Sequence, residues 1–182
     1  VEFQDFQCGF CRRYAAQTAP ALMADYVRDG QLRILYFDYP VAATHPFAAR
    51  AAEAARCAAD QGRYQALRKR FYDYPKALQP QFLPEHARAA GLDVEAFEAC
   101  LASDRHAAAV AADQALGVTL GVRGTPTFFI GKPSADGNAV YARKRIDGAQ
   151  PLPVFREVIE QVAATAGATP GAAPSVSEER AP

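Results

Sequence analysis

From His45 to about Gly117 the chain offers no strand-like run, although β-type segments flank it on both sides. "LRILYFDYP" (32–40), dense in β-branched and aromatic residues and closed by a proline, reads as a buried strand before this block. "TPTFFIG" (125–131) and "AVYARKRIDG" (139–148) read as two strands after it, joined by a turn around Ser134–Asn138, and so as a β-hairpin. Val1-Glu2-Phe3 looks like the end of a further strand. Tyr14, Ala15, Thr18, Leu22 and Tyr26 space a helix from Cys11 to about Arg28, kinked at Pro20 and stopped by Asp29-Gly30. Val154, Phe155, Val158, Ile159 and Val162 mark a closing amphipathic helix. The order is strand–helix–strand, a helical block, then strand–strand–helix, which is an α/β chain split by a helical insertion.

The insertion itself predicts helices over roughly 46–60, 63–73, 84–90 and 93–116, the last broken near Ser103. Pro84 suits a first helical turn and Asp93 an N-cap, and Val94, Phe97 and Leu101 share one face. The domain reading is therefore 1–44 and 118–165 as two parts of one α/β domain, and 45–117 as the insertion. Residues 166–182, mostly Ala, Gly, Pro, Ser and Thr, have little to bury and read as a disordered tail. Lys plus Arg and Asp plus Glu are 20 each, which gives no case for a nucleic-acid footprint or a polybasic membrane patch. No apolar run approaches the roughly 18 residues of a membrane span. The chain begins at Val1, which points to a processed or trimmed N-terminus with which any export signal would be lost, so its absence says nothing about location.

Chemistry concentrates in Cys8-Gly9-Phe10-Cys11 at the start of the first helix. Unpaired N–H groups and the positive end of the helix dipole stabilise a thiolate at the first cysteine. This assigns Cys8 as an exposed nucleophile and Cys11, one turn in and more covered, as the resolving thiol. Arg12 either adds positive potential or is simply solvated. A zinc site needs about four ligands. Cys57 and Cys100 stand alone in the sequence, and His45, His86 and His106 show no ligand spacing. A permanent 8–11 staple would close a very small loop. No metal and no cofactor are expected.

"VEFQDFQCGFCRRY", "HPFAARAAEAARCAADQGRY" and "LGVRGTPTFFIG" together resemble the DsbA-like branch of the thioredoxin superfamily, over about residues 1 to 163. The resemblance implies a thioredoxin fold with an inserted helical domain and a thiol–disulfide oxidoreductase activity. It matches Cys8 and Cys11 to the active cysteines and Gly9 and Phe10 to the dipeptide that tunes potential. Pro126 matches a cis-proline facing the disulfide, Thr125 the residue before it, and Glu2 a buried acid that assists proton transfer; an exposed strand-end carboxylate is the plainer alternative. Proline, common in the branch at position 9, and histidine, found at position 10 in its strongly oxidising members, are missing here, which points to a milder oxidant.

Implied partners are protein or peptide thiol or disulfide substrates and an unidentified redox partner that resets the pair, in the periplasm or another exported location. Cys57 and Cys100 fall on different predicted helices and border apolar faces. They form either a second disulfide, as an oxidising compartment allows, or two buried thiols that never meet. The rival readings are a reductase or isomerase using the same residues, and a thioredoxin-like module that binds protein or metal without turnover.

Overall fold

A computed structural model describes residues 1–137 and 139–165, together with the backbone of 175–177. Its elements are β1 (Glu2–Gln4), α1 (Gly9–Gln17), α2 (Ala19–Leu22), β2 (Tyr36–Asp38), α3 (Ala48–Asp60), α4 (Tyr64–Asp73), α5 (Leu83–Ala89), α6 (Val94–Ala102), α7 (Ala107–Thr119), β3 (Thr127–Pro133), β4 (Ala139–Asp147), α8 (Leu152–Ala164) and β5 (Ser175–Ser177). The sheet order is β2-β1-β3-β4-β5. β1 lies parallel to β2 and antiparallel to β3, and β3–β4 is the hairpin read from the sequence.

Side-chain alternation divides the sheet's two faces. Phe128 and Ile146 pack with Tyr14, Leu22, Phe155 and Ile159, under α1, α2 and α8. Phe3, Phe37 and Phe129 face the other way, against Val122 and the Leu116 and Leu120 side chains. A third core fills the helical block, where Ala51, Ala54, Ala55 and Ala58 of α3 are fully buried. Alanine there lets helices approach closely, which explains why so much of the apolar composition is alanine. This core also contains Phe6, Cys8 and Cys11, so the block packs directly against the cysteine turn.

Several boundaries differ from the sequence reading. The strand expected over 32–40 is reduced to β2, because its ladder partner among the described residues is the three-residue β1. The bonds Glu2 N–H to Leu35 O and Tyr39 N–H to Gln4 O, both 2.8 Å, close this short ladder at its two ends. The first helix begins at Gly9 rather than Cys11, with Cys8 at the N-cap position. It breaks at Thr18, so Pro20 falls in the first turn of α2, where a missing N–H costs little. A π-helical turn, Met23–Val27, then carries the chain to Gly30, whose φ of 71° ends it.

In the insertion, α6 and α7 flank the break expected near Ser103. The Asp93 side chain caps α6 by accepting from Ala96 N–H at 3.0 Å. Within the segment read as a tail, the Ser175–Ser177 backbone pairs antiparallel with β4. A free strand edge offers backbone groups that a segment with little to bury can still satisfy. The rest of 166–182 lies outside the described residues, as does Asn138 of the hairpin turn.

Cys57 of α3 and Cys100 of α6 form a disulfide with Cα atoms 5.9 Å apart, joining residues 43 apart in sequence. Closing such a loop stabilises the fold by about 4 kcal/mol in the chain-entropy model, before any native-state distortion is subtracted. Among the described residues no helix is long and apolar enough to cross a membrane.

Candidate active site

Asp5 builds the turn that delivers Cys8. Its Oδ1 accepts from Gln7 N–H at 2.7 Å, an Asx-type turn, and its carbonyl accepts from Cys8 N–H at 3.1 Å. Its Oδ2 accepts from Val41 N–H and pairs with His45 Nδ1, each at 2.8 Å. Gln7 Oε1 accepts from Phe47 N–H, tying the turn to the start of α3. The cysteine turn is thus fixed from β1, from the segment after β2 and from the insertion together.

Both Cys8 and Cys11 are free thiols. Cys8 is less open than its sequence position suggests, at 7% exposure, and Cys11 is fully covered. The Cys8 thiol is lowered to about 5. The largest cause is a hydrogen bond from the Cys11 thiol; contact with Thr125 and the Cys11 and Phe10 backbone groups add to it, while burial opposes. Cys11 is pushed the other way, above the ordinary thiol range, first by burial and then by its bond to Cys8. Two neighbouring thiols are thereby driven apart, one toward a nucleophile at neutral pH and one toward a proton holder.

The Thr125–Pro126 peptide bond is cis, and Cys8 Sγ lies 3.2 Å from the Thr125 carbonyl oxygen. The loop before β3 therefore sits against the first thiol. Gly9 leaves open space where a side chain would be, and Phe10 is 58% exposed with the Arg13 guanidinium 5.0 Å above its ring. Together they form an open, partly apolar rim beside Cys8. Arg12 points to solvent, along a cavity of about 520 Å³ that Tyr36, Arg68 and Tyr72 also line.

Glu2 is buried, which removes the alternative of an exposed strand-end carboxylate. Its Oε1 accepts from Arg68 Nη2 at 2.9 Å, and its Oε2 has no partner among the described residues. Burial raises its pKa, and Arg68 only partly offsets this. Arg68 Nε also donates to Gln4 Oε1 at 3.0 Å, the same oxygen that accepts from the Tyr72 hydroxyl. The guanidinium lies over the Tyr36 and Tyr72 rings at 4.5 and 5.0 Å.

Nothing in the sequence motifs singles out Arg68. One signal was there: it stands beside Leu67 and three and four residues before Phe71 and Tyr72, on the apolar stripe of α4. The sequence also separated Cys57, Cys100 and His106, which the fold brings within 4.8 Å of one another by their ligand atoms.

Comparison with known proteins places this geometry. A family model described as thioredoxin matches residues 1–145. A thioredoxin-like oxidoreductase from Silicibacter pomeroyi superposes with a TM-score of 0.74 at 25% identity, over 91% of this chain and 86% of that one. BdbD from Bacillus subtilis gives 0.75 at 18% identity, over 90% and 86%. The α-DsbA1 protein from Wolbachia pipientis gives 0.73 at 21%, over 90% and 84%. In sequence, the chain is 35% identical over 133 residues to the Na(+)/H(+) antiporter NhaA 3 of Salinispora tropica and 34% identical over the same length to NhaA 1 of Salinispora arenicola. In each case 71% of this chain is covered and 19% of the relative, so the chain spans about a fifth of the curated relatives it matches.

Proposed function

Because the chain belongs to the thioredoxin family and has the DsbA-like fold, we propose that it is a thiol–disulfide oxidoreductase that oxidises protein or peptide thiols through Cys8 and Cys11. The observation that carries this is the pair itself: adjacent thiols at a helix start, Cys8 at about 5 and Cys11 raised, with Cys8 against the Thr125 carbonyl.

In the oxidised enzyme a substrate thiolate attacks Cys8 Sγ. The Cys8–Cys11 bond breaks, a substrate–Cys8 mixed disulfide forms, and the electron pair leaves on Cys11. A second substrate thiolate then attacks the substrate sulfur of that mixed disulfide. Cys8 leaves as a thiolate, and the substrate has lost two electrons. The low pKa of Cys8 makes it the better leaving group in this step. Cys11 takes up a proton, and buried Glu2, held by Arg68, is the group we assign to relay it. A redox partner, not identified, removes the two electrons and resets the disulfide.

Gly9 and Phe10 form the contact rim for substrate. The backbone at Thr125 and Pro126 is the edge along which an extended peptide adds. Residues 45–117 serve as the inserted helical domain between the two parts of the thioredoxin-type domain, 1–44 and 118–165. The segment shared with the antiporters is, in this reading, a thioredoxin-type unit, so antiport is not carried over. An exported location fits an oxidising activity and the Cys57–Cys100 bond.

Oxidative refolding of a reduced, disulfide-containing protein tests the proposal. Catalytic acceleration by the oxidised wild type, lost in Cys8→Ser, is expected. Equal rates with the wild type and Cys8→Ser would overturn it.

A further inference from the structure

Beyond the redox pair, a second set of donor side chains converges at the far end of α3. Cys57 of α3, Cys100 of α6 and His106, the residue before α7, bring one ligand atom each to within 4.8 Å of one another. Asp60, three residues after Cys57, adds a carboxylate. Its Oδ2 lies 3.7 Å from Cys100 Sγ and 2.8 Å from His106 Nε2. A disulfide needs neither an imidazole nor a carboxylate beside it. An acid at the C-terminal end of a helix is also disfavoured by the dipole, so cationic company at Asp60 has a physical reason.

We propose that, once the Cys57–Cys100 bond is reduced, Cys57, Cys100, His106 and Asp60 bind a zinc ion, so that the metal replaces the disulfide as the clasp between α3 and α6 and adds the start of α7 to it. Two thiolates, an imidazole and a carboxylate form a mixed sulfur, nitrogen and oxygen set suited to Zn²⁺. Zinc bonds of about 2.3 Å to sulfur and 2.0–2.2 Å to nitrogen or oxygen set tetrahedral ligands about 3.3–3.8 Å apart. Asp60 and Cys100 already stand at such a separation. His106 and Asp60 need to part by about 0.5 Å, and the sulfurs, no longer bonded, need to move to about 3.8 Å apart, each by about an ångström.

Arg105, which pairs with Asp60 Oδ2 at 2.5 Å, is half exposed, so water can take over its guanidinium when the metal replaces it. The chemistry balances with an external dithiol or phosphine as reductant. It donates two electrons, the S–S bond opens, and each sulfur takes a proton. Zinc then displaces both protons as it binds.

The test uses the full chain carrying Cys8→Ser and Cys11→Ser, so that the redox pair supplies no ligand. The protein is reduced with a phosphine under anaerobic conditions and titrated with Co²⁺, then with Zn²⁺ as competitor. Expected are sulfur-to-cobalt charge transfer and tetrahedral ligand-field bands that saturate at a single cobalt, vanish with zinc and never form in the oxidised protein. His106→Ala and Asp60→Asn should each weaken binding by about tenfold or more. Three results would overturn the site: no such bands in the reduced protein, bands of unchanged affinity in His106→Ala, or cobalt uptake only after the helical circular dichroism has been lost.

Discussion

Replacing Cys11 with alanine removes the largest single cause of the low Cys8 pKa, the hydrogen bond from its thiol. A hydrogen bond to a charged group contributes roughly 1.5–3 kcal/mol. At about 1.4 kcal/mol per pKa unit, Cys8 in Cys11→Ala should titrate roughly 1–2 units higher than in the wild type, where it titrates at about 5. Cys11→Ser keeps an O–H donor and should stay within about one unit of the wild type. Thiolate absorbance and the rate of alkylation, both followed against pH on reduced protein, give the two curves.

The same shift fixes a stability trend. Because the folded pKa is lowered, Cys8 stabilises the reduced chain fully above the free-thiol range, and this is lost as pH falls through about 5. At pH 7 the stabilisation is at most roughly 2–3 kcal/mol, with solvent screening at the open rim reducing it. Superimposable Cys8 titrations in Cys11→Ala and the wild type would refute the reasoning.

Loss of the second disulfide, in Cys57→Ser with Cys100→Ser, should lower stability by up to about 4 kcal/mol in denaturant unfolding; no loss would mean the bond constrains nothing. Arg68→Met strands a buried carboxylate, and a cost of about 3–5 kcal/mol is expected at neutral pH. That cost should shrink in acid, because Glu2, whose pKa is already raised, then takes a proton; a penalty independent of pH would contradict the pairing. At Gly131 an added Cβ would lie 2.0 Å from the Tyr141 carbonyl oxygen, so Gly131→Ala should destabilise the hairpin by about 1–3 kcal/mol, read from thermal unfolding, and an unchanged melting temperature would count against the close approach.

What the sequence made legible was local. The cysteine pair, the Asp93 cap and the alternating hairpin strands depend on neighbours a few residues away, and each stands in the structure with small shifts of boundary. What it hid was nonlocal. The 32–40 strand ends early because its partner, β1, is short, and nothing within 32–40 says so. Glu2 could be matched to a buried acid, yet its partner Arg68 lies 66 residues away and approaches only when α4 packs over β1. Cys57 and Cys100 could be placed on helices, but their meeting is decided by how α3 and α6 cross. The same crossing assembles Asp60 and His106 around them, which residue spacing alone did not show.

An equilibrium titration of the Cys8–Cys11 pair in glutathione buffers bears most directly on an oxidising role. The lowered Cys8 pKa stabilises the reduced form, while Phe10 offers no charge and Gly9 leaves the turn less restrained than proline would. A potential between about −270 mV, the thioredoxin value, and about −120 mV, that of a strong oxidant, is therefore expected. A value at or below about −270 mV would contradict an oxidising role and make the protein a reductase.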